Sequence, residues 1–184
     1  MNSVLSELTQ ILVAAPARAG QTKVIAVDGR SGAGKSTLGR QLRDELNAEL
    51  ITMDYLYGGW DGLSRGVDLL VSEVLNPLAA SQIAKVPHYD WINECWGAPR
   101  ELAPPEFLVV EGVGAGAQRA ASYVSVLVWL SANTNTRKKR GLDRASAYEL
   151  HWDYWAAEED KMYEEDRPWE RADLVLSTEP ESVE

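Results

Sequence analysis

The sequence predicts a three-layer α/β fold, in which helices cover both faces of a five-stranded parallel sheet. Two observations lead to this prediction. Five short apolar runs, rich in β-branched residues, alternate with segments that show helical spacing of apolar residues, as is typical of parallel strands joined by helical crossovers. The length of 184 residues, with 45% hydrophobic and 25% charged residues, suits one globular domain over residues 1–184 with a proper core.

The first half of the chain is predicted to contain three helices and two strands. In order, these are an amphipathic helix within residues 1–20, a strand over 23–28, a helix over 35–46, a strand over 49–53 and a helix over 63–75. The strands are assigned from apolar runs, and the helices from apolar residues spaced three and four apart. Pro77 should end the third helix near Asn76, because the residue before a proline avoids the helical conformation.

The second half is predicted to contain an insertion, three strands and a long helix. Residues 83–105 hold four of the eight prolines and several aromatic residues, which indicates an inserted segment and not a core element. The remaining elements are strands over 107–110, 123–130 and 172–176 and a helix over 146–165. The capping-box pattern of Ser146 and Glu149 marks the start of that helix.

The predicted helix over 146–165 carries a stripe of large apolar residues and a group of acidic residues. Its stripe of large apolar residues is interpreted as core packing and not as a ligand site: Tyr148, Trp152, Trp155 and Met162. Its acidic residues are interpreted as a solvated face: Glu158, Glu159, Asp160, Glu164, Glu165 and Asp166.

Charge and cysteine content exclude several classes of protein. With 18 Lys and Arg against 28 Asp and Glu, the net charge is −10, and a phosphate backbone would repel such a chain, so no nucleic-acid partner is expected. The single Cys95 forms neither an internal disulfide nor a Cys-rich zinc site, which fits a reducing compartment. No apolar run approaches the roughly 18 residues of a membrane span. A cytoplasmic protein without a membrane partner is expected, and the oligomeric state is left open.

Residues 29–36 carry the motif with the most specific chemistry. They satisfy the P-loop pattern G-x-x-x-x-G-K-[ST] between a predicted strand and a predicted helix. In such a loop the backbone N–H groups cradle phosphate oxygens, Lys35 reaches the β- and γ-phosphates and Ser36 ligates Mg²⁺. The expected cofactors are therefore ATP and Mg²⁺, and the preference for ATP over GTP is left open. The predicted nucleotide-binding residues are Gly29, Arg30, Ser31, Gly32, Ala33, Gly34, Lys35, Ser36 and Thr37.

Two carboxylates and a basic cluster are further candidates. Asp54 and Glu111 follow predicted strands that end at the same sheet edge as the P-loop, where one could hold Mg²⁺ and the other accept a hydroxyl proton. Exposed loop carboxylates are the alternative. Arg137, Arg140 and Arg144 share one helical face, which suits anionic phosphates. A solvated basic face is the alternative for this cluster.

Over nearly its whole length the sequence resembles the uridine kinase family of P-loop nucleoside and metabolite kinases. The segments that carry the resemblance are 28–37, 53–57, 86–91, 110–112, 136–144 and 171–175. They resemble, in that order, the family's phosphate loop, the segment of its catalytic base, its substrate hairpin, the Glu-Gly pair that supports Mg²⁺, its arginine-bearing lid and its closing strand. The fold that this implies is a P-loop NTPase fold with a small substrate hairpin and a helical lid.

The resemblance also implies roles for individual residues. Asp54 would be the catalytic base and Glu111 would support Mg²⁺ together with Ser36, while a lid over about 133–146 would carry catalytic Arg140 and Arg144 beside catalytic Lys35. Tyr57 and the hairpin residues Tyr89 and Trp91 could form a stacking wall for the acceptor, and packing within the hairpin, which spans about 83–105, is the alternative. The predicted acceptor-binding residues are Asp54, Tyr57, Tyr89, Asp90 and Trp91.

One departure concerns the acceptor. The family has a base-recognising His a few residues after the Tyr-Asp pair, whereas this chain has Glu94 there and His88 on the other side of Tyr89. His88 and His151 receive no role. The expected function is transfer of the γ-phosphoryl group of ATP to a hydroxyl of a nucleoside or similar metabolite. The alternative is a P-loop regulatory module or ATPase without a metabolite acceptor.

Overall fold

A five-stranded parallel sheet forms the centre of the structure, a computed structural model that describes residues 2–144 and 147–180. Its strands are β1 (Lys23–Gly29), β2 (Glu49–Thr52), β7 (Phe107–Glu111), β8 (Val126–Ser131) and β9 (Leu174–Ser177). The strand order is β2-β7-β1-β8-β9, and all neighbouring strands are parallel. The predicted fold class is confirmed.

Helices cover the sheet on both faces. They are α1 (Asn2–Ala14), α2 (Lys35–Leu46), α3 (Leu63–Leu69), α4 (Asn76–Ala79), α5 (Thr134–Arg144) and α6 (Ala147–Asp166). Side chains of β1 alternate between two cores: Ile25 and Val27 pack in the core that contains Leu42 of α2, and Val24 and Ala26 pack in the other. Among the described residues, no helix is long and apolar enough to cross a membrane.

The helix predicted over 63–75 does not end near Asn76. A π-helical segment, Leu70–Leu75, follows α3 and leads directly into α4, which contains Pro77. In a regular α-helix the ring of Pro77 would collide with the carbonyl group of Glu73, and the wider π turn avoids that collision. The predicted end is wrong by about one turn for this reason.

Several strand ends differ from the predicted ones, by one to three residues. β2 ends at Thr52, because Met53–Tyr55 forms a 3₁₀ turn. β8 begins three residues after its predicted start at 123, because the N–H of Tyr123 bonds to the carbonyl of Ala120 in a turn. β9 begins at Leu174, two residues after its predicted start.

The predicted insertion is a nested antiparallel hairpin. Its outer pair is β3 (Ala84–Val86) with β6 (Arg100–Leu102), and its inner pair is β4 (Tyr89–Asp90) with β5 (Cys95–Trp96). The predicted lid contains α5. The capping box at Ser146 lies outside the described residues, as do the side chains of Arg144 and Tyr148.

Candidate active site

The P-loop motif lies where the carboxyl end of β1 turns into α2. Gly29, Gly32 and Gly34 adopt positive φ angles of 144°, 79° and 92°, which favour glycine. A Cβ atom at Gly32 would lie 2.2 Å from the backbone oxygen of Arg137, so the loop passes too close to α5 for any side chain. The first N–H groups of a helix have no hydrogen-bond partner within that helix. At the start of α2, directly after the loop, such groups are donors for a bound anion.

Two side chains beside the loop are suited to a metal ion. The Oγ of Ser36 donates a hydrogen bond to Oε2 of Glu111 over 3.1 Å, and Glu111 is only 2% exposed at the end of β7. Burial raises the pKa of the Glu111 carboxyl above its ordinary value; the charge of Lys35 opposes this rise and that of Asp54 adds to it. Mg²⁺ commonly takes one or two carboxylates together with phosphate oxygens. The pair therefore fits Mg²⁺ bound with ATP.

In residues 2–144 and 147–180, no three His, Cys, Asp or Glu side chains form a group able to hold a metal ion by themselves. The Nζ of Lys35 donates a hydrogen bond to the backbone carbonyl of Arg30 over 3.0 Å. Lys35 is 7% exposed, so its charge lies within the loop and not in solvent. The loop glycines, Lys35 and the Ser36–Glu111 pair together have the chemistry that a magnesium–triphosphate needs.

Asp54 lies in the 3₁₀ turn directly after β2, close enough to Glu111 to affect its pKa. The indole Nε1 of Trp91 donates a hydrogen bond to the backbone carbonyl of Asp54 over 2.8 Å. The hairpin therefore contacts the turn that carries the predicted base. Its contact through Trp91 has no signal in the local sequence, because the two residues are 37 positions apart.

Aromatic side chains from three segments meet beside this turn. The ring of Trp91 contacts those of Tyr89 and Trp60, with centroids 5.4 and 5.1 Å apart. Trp60 also stacks on His151 of α6, with centroids 4.3 Å apart, and contacts Trp155 at 5.9 Å. We call Trp60, Tyr89, Trp91 and His151 the aromatic wall. Sequence reasoning did not identify Trp60 or His151, since they reach the wall only through the packing of distant segments.

Two predicted acceptor residues have other surroundings. Tyr57 is 1% exposed, and its hydroxyl donates a hydrogen bond to the carbonyl of Val113 over 2.9 Å, so it packs in the core and not on the wall. Asp90 accepts hydrogen bonds from the Asn93 side chain and backbone and from the N–H of Ile92, and these bonds lower its pKa. These bonds give the Asp90 carboxylate a structural role in its own turn. Its contact with an acceptor stays a prediction.

Two residues of the hairpin bear on base recognition: Glu94, which stands where the resembled family has its base-recognising His, and His88. Glu94 is exposed and adopts a φ angle of 50° at the tip of the hairpin. His88 stacks on Tyr55, with ring centroids 4.4 Å apart. Neither residue contacts the rings of the aromatic wall in the described contacts.

Arg137 and Arg140 of the basic cluster on α5 face the P-loop. The Nη1 of Arg137 donates to the carbonyl of Ser31 over 3.2 Å, and Arg137 is 7% exposed. Arg140 donates to the carbonyl of Thr178 over 2.6 Å and reaches that of Gly32 at 3.5 Å. The structure therefore brings both arginines to carbonyl groups of the loop. The catalytic role of Arg140 stays a prediction.

Glu159 contradicts the interpretation of the α6 acids as a solvated face. It is 1% exposed, and its Oε1 accepts a hydrogen bond from the N–H of Ser31 over 2.8 Å. Asp166 is also engaged, by the N–H of Gln118 and by Arg171. Asp160, Glu164 and Glu165 are exposed as expected. The interpretation fails for Glu159 because composition does not reveal that this turn of α6 packs on the P-loop.

Asp28, the last residue before the motif, is a buried group that sequence reasoning did not assign to a contact. Its carboxylate accepts hydrogen bonds from the N–H groups of Gly114 and Gly116 and from the hydroxyl of Tyr163, at 3.0, 2.9 and 2.6 Å. Burial raises its pKa, although these bonds oppose the rise. Asp28 thereby fixes the loop that follows Glu111.

Solved structures resemble this chain over nearly its whole length. A possible uridine kinase from Bacillus stearothermophilus aligns with a TM-score of 0.70 and 21% identity, over 95% of this chain and 98% of that one. A provisionally named fructose transport system kinase from Silicibacter sp. TM1040 aligns with a TM-score of 0.58 and 19% identity, over 94% and 98%. No protein-family model and no curated protein matches the chain. The chain therefore has a uridine kinase-like P-loop kinase fold.

Proposed function

We propose that the protein is a uridine kinase-like phosphotransferase that uses ATP and Mg²⁺ to phosphorylate a hydroxyl group of a nucleoside or similar metabolite. The observation that supports it most is the meeting of the Ser36–Glu111 pair and Asp54 beside the P-loop. Phosphoryl transfer needs mainly positioning and charge stabilisation, and these residue types supply both. The fold shared with structures named as kinases is consistent with this activity.

Each residue has a distinct task in this proposal. Bound Mg²⁺-ATP supplies the γ-phosphoryl group, whose transfer to the acceptor oxygen leaves ADP. The loop N–H groups and Lys35 bind the phosphates, and Ser36 with Glu111 holds the metal. Asp54 accepts the proton of the acceptor hydroxyl. Arg140 and Arg144 reduce the negative charge that builds up during transfer.

The aromatic wall supports an acceptor with a ring. It lies next to the turn of Asp54, which Trp91 contacts through its indole N–H. Aromatic faces bind planar bases and the apolar faces of sugars, while a nearby carboxylate binds hydroxyl groups. A nucleoside or sugar-like alcohol is therefore the acceptor class that we propose.

A coupled assay of ADP release tests the proposal. Nucleosides, pantothenate-like alcohols and sugars are screened one by one with ATP and Mg²⁺, beside reactions without an acceptor. We expect ADP release that depends on one acceptor class and is lost in Lys35→Ala, which removes the phosphate-binding charge. Turnover without any acceptor would instead support the ATPase, and normal turnover of Lys35→Ala would contradict the P-loop assignment.

A further inference from the structure

Ser31 of the P-loop is bound through three of its atoms by three side chains of α5 and α6. Its N–H donates to Oε1 of Glu159 over 2.8 Å, and its Oγ accepts from Nε1 of Trp155 over 3.0 Å. Its carbonyl accepts from Nη1 of Arg137 over 3.2 Å. We call these four residues the Ser31 clamp. Trp155 and Glu159 are one helical turn apart, so one face of α6 supplies two of the three bonds.

All four residues of the clamp are buried. The exposed fractions are 7% for Ser31 and Arg137, 3% for Trp155 and 1% for Glu159. The Oε2 of Glu159 accepts no hydrogen bond from the described residues and lies 3.9 Å from guanidinium nitrogens of both Arg30 and Arg137. A buried carboxylate is costly unless cations and donors surround it. Ordinary packing would favour an apolar residue here, so a buried side chain whose oxygen accepts the N–H of Ser31 needs a specific reason.

The clamp lies next to the residues that would hold phosphate. The Gly32 backbone approaches α5 so closely that no side chain fits there, and Lys35 is tied to the carbonyl of Arg30, on the other side of Ser31. A shift of the Ser31 peptide groups would therefore move both neighbours. All three clamping bonds end on atoms of Ser31, so they act on a residue of the loop.

We infer that the Ser31 clamp sets the backbone geometry of the P-loop before a nucleotide binds, so that Arg137, Trp155 and Glu159 are positioning residues for nucleotide phosphates. A loop that is already ordered loses less conformational entropy on binding, and its N–H donors need no reorganisation. Arg137 then acts on the carbonyl side of the loop and not as a phosphate ligand. The inference rests on the proposed function, because its ligand is the nucleotide of that reaction.

Titration calorimetry with MgADP, without any acceptor, tests the Trp155–Ser31 bond. Ser31→Ala removes the acceptor oxygen of this bond, and Trp155→Phe removes its donor and keeps an aromatic ring. We expect each variant to raise the Kd for MgADP about three- to tenfold, the effect of one hydrogen bond. Because both changes delete the same bond, the double variant should bind no more weakly than the weaker single variant. Unchanged Kd values, or losses that multiply, would overturn the inference.

A second set of variants tests Glu159. Glu159→Gln keeps an oxygen that accepts the N–H of Ser31 and removes the charge, while Glu159→Ala removes both. We expect MgADP affinity within about threefold of the original for Gln and a loss of about tenfold or more for Ala. Glu164→Gln is the matched control, because it removes an exposed charge of the same helix. Equal losses for Gln and Ala would contradict a clamp that acts through the Ser31 N–H bond.

Melting temperatures separate positioning from general stability. Trp169→Phe truncates an indole that packs on Trp129 beyond the end of α6, and it serves as the stability control. We expect Ser31→Ala and Trp155→Phe to weaken MgADP binding although their melting temperatures are no lower than that of Trp169→Phe. Trp169→Phe itself should bind MgADP normally. A loss of affinity that follows the melting temperature in all three variants would overturn the inference.

Failure of the proposed function can be distinguished from failure of the clamp. MgADP binding that Lys35→Ala abolishes shows that the probe occupies the P-loop. If the original chain binds MgADP but phosphorylates no acceptor, the proposed kinase activity is wrong and the clamp is still tested. If the chain binds no MgADP, both proposals are wrong.

Discussion

Glu111 is the last residue of β7 and Asp54 lies just after β2, and the surroundings of these two carboxylates differ. Glu111 is 2% exposed and bonded to the hydroxyl of Ser36, while Asp54 is half-buried on a turn that the hairpin contacts. Glu111 is therefore in direct contact with the P-loop residue that would bind Mg²⁺. Asp54 is the better candidate for contact with an acceptor.

Substitution of the two carboxylates should give different deficits. Asp54→Asn keeps the shape of the side chain and removes its basicity, so we expect nucleotide binding to persist and turnover to fall by roughly 10²–10⁴-fold. Glu111→Gln weakens the metal site, so its deficit should be partly relieved by higher Mg²⁺ concentrations. Turnover of both variants is measured across a Mg²⁺ titration. Rescue of Asp54→Asn but not of Glu111→Gln would show that the two roles are reversed.

The raised pKa of Glu111 predicts a pH dependence of metal binding. Mg²⁺ needs the deprotonated carboxylate, and a raised pKa means that protons compete for it at a higher pH than for an ordinary Glu. We expect Mg²⁺-dependent nucleotide affinity to fall as the pH is lowered from about 8 to about 5.5. Glu111→Gln gives the baseline, because protonation of the nucleotide affects both proteins alike. Equal pH profiles would contradict the prediction.

The same raised pKa has the opposite sign for the stability of the ligand-free protein. Folding favours the protonated form of Glu111, so this stabilising contribution is present at low pH and is lost as the pH rises through the raised pKa. Glu111→Gln imitates the neutral form. Its melting temperature at neutral pH, without nucleotide, should equal or exceed that of the original protein, and a clear decrease would contradict the assigned cause.

At the scale of elements, α5 connects the P-loop with the last strand. Arg140 donates hydrogen bonds to the carbonyl and hydroxyl of Thr178, directly after β9, and reaches the carbonyl of Gly32. These bonds are structural as they stand. The proposed catalytic role requires that Arg140 also stabilise the charge of the transferring group.

Arg140→Ala separates these two roles. If Arg140 stabilises the transferring phosphoryl group, kcat should fall by about 10-fold or more while nucleotide affinity changes by less. Steady-state kinetics and MgADP titration give the two quantities, and Lys138→Ala is the control on an exposed residue of α5. A lower melting temperature with unchanged kcat would show that Arg140 has only a structural role, in connecting α5 with Thr178.

At the scale of the whole molecule, Trp60 joins three segments that are distant in the chain. It contacts Trp91 of the hairpin and both His151 and Trp155 of α6. Trp155 in turn bonds to Ser31, so contacts run from the hairpin to the P-loop through two indole rings. The proposed acceptor side and nucleotide side of the site are thus parts of one packed unit.

Trp60→Ala tests the aromatic wall as an acceptor surface. We expect acceptor binding to weaken by about 1–3 kcal/mol, the value of one lost aromatic contact. MgADP affinity should change by less than about threefold, since Trp60 has ring contacts with the hairpin residue Trp91 and with His151 and Trp155 of α6. Calorimetry with the acceptor identified by the ADP-release screen measures the first quantity. Equal losses for both ligands would remove the wall from the acceptor site.

Local sequence determined the strands, α2 and the P-loop of this protein. Strands that are buried on both faces consist of consecutive apolar residues, which is a local pattern. The P-loop needs glycines at its positions of positive φ, and these lie within one stretch of eight residues, so the loop also has a local pattern. The π-helical segment before Pro77 was missed, because a widened turn is a response to the proline that periodicity does not encode.

Tertiary structure alone decided which polar and aromatic residues meet at the site. Glu159 looks like its acidic neighbours in the sequence, and only the packing of α6 brings it to Ser31, 128 positions away. Tyr57 moved from the predicted wall to the core, whereas Trp60 and His151 joined the wall. Such contacts depend on which face of each helix or strand packs against the rest of the protein. Residues of one type on the same helix, such as the acidic residues of α6, differ in burial and partners only once one face of the helix is packed.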